Sequence, residues 1–233
     1  IVDLGTWKSI RKSYPGTQIS DHGDSIVFPG LVNCHTHLDN SALKDKLPHK
    51  PQQMTDWLRG HITTRQEIPD EEKNRALEEQ WQELWKLGTL ALGDITYARH
   101  SLKMAESSPI ISWNFLEVIG FNRERAEENL ANFVELAQTS SETGLRVALT
   151  PHAVHTLHKD VLVETCWFSN SMGNPLSIHI CESEEEIEFM QTGRGPFRDL
   201  MQEWGFWDDS FEVPKCSPVE FLHQHGVLSP RVM

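Results

Sequence analysis

The chain has 233 residues, 24% of them charged and 38% hydrophobic, and a formal net charge of −13 at pH 7. That length fits one large domain or two small ones, and the composition is ordinary for a globular chain. The acidity argues against phosphate-neutralising contact with nucleic acid; no run approaches the ~18 apolar residues of a membrane span; and no basic start with an apolar core marks a secretory signal.

Residues 1–24 carry little helical pattern and read as the tail of a small β domain, with residues 25–233 as the main domain. The first strand is expected over Ile26–His35, interrupted at Pro29-Gly30 and resumed by Leu31-Val32. It ends in Asn33-Cys34-His35-Thr36-His37. Side chains alternate across a strand, so His35 and His37 share a face and can reach one cation. Taken alone, such a pair in a chain of twelve histidines also fits exposed loop residues.

A helix is predicted over residues 70–87, opening on Asp70-Glu71-Glu72, with Leu77, Trp81, Leu84 and Trp85 on one stripe and Gly88 as its stop. Strands follow at Thr89–Ile95 and Ile110–Val118, then a helix at 123–138, a strand at Leu145–Pro151 and a helix at 158–169. A fifth strand is expected at Leu176–Cys181, then helices at 183–191 and Phe197–Trp204. Ser217-Pro218-Val219-Glu220 reads as a capped helix start. In the acidic run, Glu184, Glu185, Glu186 and Glu188 are expected to face solvent. His155 and His158 read as loop surface, and His223 and His225 diverge on a helix.

The four cysteines, Cys34, Cys166, Cys181 and Cys216, lack close pairing and suit a reducing compartment, hence a cytoplasmic protein. Cys34 and Cys181 read as small buried hydrophobes.

Alternating strands and helices imply an α/β fold with a parallel sheet and helices outside it. His35, His37, Asp94, Glu117, His152 and His179 all fall at strand C-terminal ends. In a (β/α)8 TIM-type barrel that rim builds the active site. About five βα units are countable where a barrel has eight, so the chain reads as part of a longer protein. No glycine-rich nucleotide-cofactor loop is present.

Catalytic zinc sites take three or four N or O ligands and keep a position for water. His35 and His37 supply two nitrogens, and His179 can supply a third from the fifth strand. Glu182 follows His179 by three residues, where the chain turns into a loop. A metal lowers the pKa of its water towards about 7, and a nearby carboxylate can move the proton to a leaving group. As an alternative, Glu182 is simply the first residue of the acidic helix.

Pro29-Gly30-Leu31-Val32-Asn33 with His35-Thr36-His37-Leu38, then Pro151-His152-Ala153, then His179-x-x-Glu182-Ser183, resembles the amidohydrolase superfamily. The resemblance is to its cytosine-deaminase-like branch and runs from about residue 20 to the end. It implies that His35, His37 and His179 bind a divalent metal, zinc or alternatively iron, and that Glu182 carries protons. It implies that His152 touches the substrate. Trp57 matches a segment near the pocket, with a packing tryptophan as the alternative. Glu117 borders the pocket or serves as a buried hydrogen-bonding group. Leu116-Glu117-Val118-Ile119-Gly120, Thr192-Gly193-Arg194-Gly195-Pro196-Phe197 and Ser217-Pro218-Val219-Glu220-Phe221-Leu222 resemble the aminodeoxyfutalosine deaminases of menaquinone synthesis.

The implied reaction is hydrolytic deamination of a purine-like nucleoside, a small-molecule substrate, by an enzyme with no nucleic-acid or membrane partner and a dimeric tendency. Guanine or adenosylhomocysteine deamination, chlorohydrolysis, or a non-catalytic fragment pairing through open sheet edges are the alternatives. Members of the family add a His from strand six and an Asp from strand eight; neither segment falls within these 233 residues.

Overall fold

The computed structural model describes residues 2–47, 53–97 and 99–233. In chain order the elements are α1 (Trp7–Ser13), β1 (Leu31–Thr36), a 3-10 helix (Leu38–Leu43), α2 (Met54–Glu67), α3 (Asp70–Lys86) and β2 (Thr89–Thr96). They continue with α4 (Arg99–Ser107), β3 (Ile111–Val118), α5 (Arg123–Ser141), β4 (Arg146–Pro151), α6 (Lys159–Ser171), α7 (Glu184–Thr192), α8 (Pro196–Glu203) and α9 (Pro218–Gln224). The four strands are all parallel and lie side by side in the order β1-β2-β3-β4.

Strand alternation sorts the two faces. Leu116 and Val118 of β3, with Val147 and Leu149 of β4, pack beneath Leu130 and Phe133 of α5 and Val161 and Leu162 of α6. Phe115 of β3 meets Ile95 of β2 and Ala148 of β4 on the opposite face. Glu117, two residues beyond Phe115, therefore points to that inner face at the strand's C-terminal end. The helices start where the sequence offers caps: the Asn122 side chain accepts from the Arg125 amide at 2.9 Å, and Ser217 with Glu220 forms a capping box on α9.

β1 and β2 approach closely at Gly93. A Cβ there would overlap the carbonyl oxygen of Cys34, so only glycine permits this spacing next to His35.

Several expectations need correction. Ile26, Val27 and Phe28 lie outside β1 and are 73–81% exposed, because the pairing begins only after Pro29-Gly30, where the Leu31 amide donates to the Gly88 carbonyl. Leu176–Cys181 is not a ladder strand. It makes single parallel bridges, Ala153 to His179 and Leu176 to Val232. Between them the Ser177 amide donates to the Thr150 side chain at 2.9 Å, which replaces a backbone partner and interrupts the ladder.

Residues 7–13 form a helix, with Thr6 accepting from the Ser9 amide, and no residue from 2 to 24 is buried. α2 and α4 were not legible in the sequence. The inward stripe of α2 is Met54, Trp57, Leu58, His61, Ile62 and Arg65, and its polar members line a cleft rather than a core, so the apolar period is broken.

Cys34 and Cys181 are exposed, not buried. Cys34 lies on a side of β1 that no described element covers, and Cys181 sits in a left-handed turn at φ 56°. His155 is 3% exposed because it tucks against Phe197 and Glu186. Of the acidic run, Glu184 and Glu188 are exposed, but Glu186 is fully buried and Glu185 accepts from the Thr55 amide at 3.0 Å. Both groups answer backbone amides that would otherwise lack partners.

Candidate active site

His35 is the penultimate residue of β1, and His37 follows the strand as the residue before the 3-10 helix. Their ring centroids are 5.2 Å apart, and His179 lies 5.0 Å from His35 and 5.2 Å from His37. One ligand atom from each of the three histidines lies within 4.8 Å of the others. The Nε2 atoms of His37 and His179 are 3.2 Å apart. Two nitrogens each ~2.05 Å from one tetrahedral zinc would be separated by about 3.3 Å. This donor set therefore fits a divalent ion such as zinc.

His179 is oriented from behind. Its Nδ1 lies 3.1 Å from the His152 carbonyl oxygen and 3.3 Å from Glu117 Oε1. A ring N–H directed at a carbonyl or carboxylate leaves Nε2 free to ligate. Glu117, His152 and His179 also satisfy the spacing of a ligand cluster. Because His179 already directs Nε2 at His37, we read Glu117 as the outer partner of His179 rather than as part of a second metal site.

Burial and charge set the protonation states. Burial lowers the His37 pKa to about 4, with Glu117 opposing it and the neighbouring histidines reinforcing it. Burial likewise lowers His152 to about 4 against the pull of Glu117. Burial also lowers His35, aided by His179. Burial works against a charged His179 too, but the Glu117 carboxylate overrides it and raises that pKa. Glu117 is 6% exposed; burial favours its neutral acid, and His152, His179 and His37 outweigh that and hold it below the usual carboxylate range. Burial thus favours neutral His35 and His37, the ligand form a metal requires, while Glu117 favours a proton on His179 that a bound metal would displace.

Behind the rim, Asp94 is buried on the helix side. It accepts from the Leu38 amide at 3.0 Å and from the Ser101 hydroxyl. It therefore clamps the turn just after His37 and does not reach the cleft.

The histidines open onto a cleft of about 710 Å³. Its lining includes Glu117, His152 and Glu182, so the structure brings every candidate except His35 to the cleft wall. His35 joins through the histidine cluster. The His152 Nδ1 is 2.6 Å from the Thr156 hydroxyl, which leaves its Nε2 for a ligand. Trp57 is half-buried, with its ring 4.9 Å from that of His61. Sequence reasoning missed His61, Arg65, Tyr97 and Phe206 on the walls. The spacing of Trp57, His61 and Arg65 along α2 was the available signal.

A family model described as "Amidohydrolase family" matches residues 26–204. Among curated relatives, an aminodeoxyfutalosine deaminase of a Nitratiruptor species is 26% identical over 204 residues, covering 86% of this chain and 50% of its own length. A 5'-deoxyadenosine deaminase of Methanococcus maripaludis is 27% identical over 219 residues, covering 90% and 51%. Among solved structures, an aminofutalosine deaminase of Helicobacter pylori in complex with methylthio-coformycin superposes with a TM-score of 0.81 at 23% identity, covering 96% of this chain and 54% of that one. An adenosine deaminase of Xanthomonas campestris with bound zinc superposes at 0.64 and 19% identity, covering 88% and 43%. At these identities the structural likeness speaks for the fold, and the four parallel strands correspond to part of a larger barrel. The chain spans about half the length of the curated relatives it matches.

Proposed function

Since this chain belongs to the amidohydrolase family, we propose that the protein is a metal-dependent hydrolytic deaminase acting on a purine-like nucleoside of the aminodeoxyfutalosine or 5'-deoxyadenosine kind. In this reading the chain carries the first half of the barrel, and residues 1–24 are the tail of a separate small domain. The observation that carries the proposal is the convergence of His35, His37 and His179 at one side of a cleft that Glu182 and His152 also line. Relatives named as adenine-nucleoside deaminases support the substrate class.

His35, His37 and His179 would hold the ion, zinc in the first instance and iron as the alternative. When bound, it supplies a Lewis acid that activates water at neutral pH. Glu182 then passes a proton to the ring nitrogen beside the amino-bearing carbon. Water adds its oxygen to that carbon, ammonia departs, and a carbonyl replaces the amine. His152, kept neutral by burial, offers Nε2 to the substrate. Trp57 offers a flat apolar wall for a base or ring. Glu117 stands behind His179 and His152 and borders the cleft.

The test is ammonia release by the full-length, zinc-loaded protein from a panel of adenine nucleosides, with Glu182→Gln as the comparison. Unchanged turnover in that variant would remove Glu182 from the role, and halide release in place of ammonia would move the chemistry to dehalogenation.

A further inference from the structure

Glu186 is the one acid of the Glu182–Glu188 run that is fully buried, and it lies four residues after Glu182. Its two oxygens accept separate backbone amides, Cys181 N at 3.0 Å and Glu182 N at 2.8 Å. These amides lie upstream of the helix. The first turn of α7 already has its cap, because the Ser183 hydroxyl accepts from the Glu186 amide at 3.2 Å. The Glu186 carboxylate therefore serves the loop that carries Glu182, not the helix that follows.

That loop needs holding. Cys181 has φ 56°, a left-handed conformation that residues with a Cβ avoid unless their surroundings enforce it. Two successive amides directed at one carboxylate enforce it and fix the direction in which Glu182 leaves the backbone. Glu182 itself is exposed on the cleft side, so its own packing does not set its direction.

Glu186 is in turn held from the cleft wall. The Nδ1 of His155 lies 3.6 Å from Glu186 Oε1, and the His155 ring meets Phe197 edge-on with centroids 4.5 Å apart. His155 and Phe197 both line the cleft. Burial opposes ionisation of Glu186, but His155 and the two amides outweigh it and hold the carboxyl below its ordinary range.

We propose that Glu186, backed by His155, is the positioning residue that aims the Glu182 carboxyl into the cleft. The proposal rests on the reading of Glu182 as the proton carrier.

A double-mutant comparison on the full-length, zinc-loaded protein tests it. Gln at 186 presents an NH2 group to one of the two amides, so Glu186→Gln should lower kcat by about 100-fold, the scale of a small misplacement. KM and zinc content should stay within about threefold of the unaltered protein. In a Glu182→Gln background the same change should cost less than about threefold, because a residue that acts only through another adds nothing once that other is gone. An equal loss in both backgrounds overturns the proposal.

Amide hydrogen exchange at Cys181 and Glu182 gives an answer without turnover. Protection of both amides in the unaltered protein, lost at one of them at least in Glu186→Gln, is expected; exchange of both at unprotected loop rates in the unaltered protein, or protection unchanged at both in the variant, overturns the proposal. If Glu182→Gln alone leaves ammonia release unchanged, the functional reading of Glu182 fails, and the exchange data still decide whether Glu186 holds the loop. Should Glu186→Gln not fold, His155→Gln should lower kcat in the same direction by about 10-fold with KM steady; no loss there overturns the proposal.

Discussion

The Nε2 atoms of His37 and His179 stand 3.2 Å apart although 142 residues separate them in the chain. The residue just after β1 supplies one, and the segment between α6 and α7 supplies the other. Two imidazoles so close, each presenting the same ring nitrogen, gain little from each other and much from a shared cation.

Removing either ring should therefore show directly in metal binding. His37→Ala is expected to weaken zinc affinity by more than the roughly 10- to 100-fold that loss of an outer partner costs. Calorimetric titration of zinc into the metal-stripped protein checks this, and an affinity equal to that of the unaltered protein would place the ion elsewhere.

Glu117 should give the milder phenotype. Its Oε1 faces His179 Nδ1 at 3.3 Å and does not touch the convergent nitrogens of His37 and His179. Glu117→Gln keeps an acceptor there but drops the charge, and should reduce zinc affinity by about 10-fold with the stoichiometry preserved. A loss as large as that of His37→Ala would make Glu117 a direct ligand.

Gly93 should be intolerant of any side chain. A Cβ would overlap the Cys34 carbonyl and push β1 from β2 beside His35. Gly93→Ala is expected to cost roughly 1–3 kcal/mol through overpacking. Thermal unfolding should register it at about 2–4 °C per kcal/mol for a chain of this size, and zinc affinity should fall with it.

Asp94 should make stability depend on pH. Burial, with the charge of Asp39, raises its pKa from 3.8 to about 7 against the opposing Ser101 hydroxyl and Leu38 amide. The folded protein then holds a proton there that the unfolded chain releases above pH 3.8. This contribution is fully present below pH 3.8 and is lost as pH rises towards about 7. Asn at 94 can accept from the Leu38 amide and donate to Ser101 at any pH. Asp94→Asn should accordingly gain on the unaltered protein as pH rises from 5 to 7.5, by an amount on the order of a few kcal/mol. A difference in Tm that stays constant across those values would mean Asp94 is charged throughout.

Much of the architecture was legible because burial on both faces writes a simple signal. β2, β3 and β4 are short apolar runs within a residue or two of where they were expected, and α3 and α5 carry apolar stripes over the sheet. What escaped was written in polar residues. α2 turns His61 and Arg65 inward because its inner neighbour is a cleft. Leu176–Cys181 has the composition of a strand, but a strand also needs a continuous partner, and here the Thr150 side chain takes one of the partner's places.

The site divides in the same way. The histidine pair, Pro151-His152-Ala153 and His179-x-x-Glu182 are local patterns, and their chemistry is intrinsic to the residue types, so the sequence alone nominated the ligand candidates and a candidate proton carrier, and its family resemblance suggested the reaction proposed above. It could not determine which acids of the run after Glu182 are buried. Composition makes Glu184, Glu185, Glu186 and Glu188 equivalent, and only the fold separates them. Glu186 lies inside because two amides and His155 converge where the chain turns, and a buried carboxylate is stable only with such partners. The placement of Glu117 behind His179 was likewise decided by the tertiary structure, because the two residues are distant in sequence and meet only where the end of β3 lies near the single bridge that ties His179 to Ala153, just beyond β4.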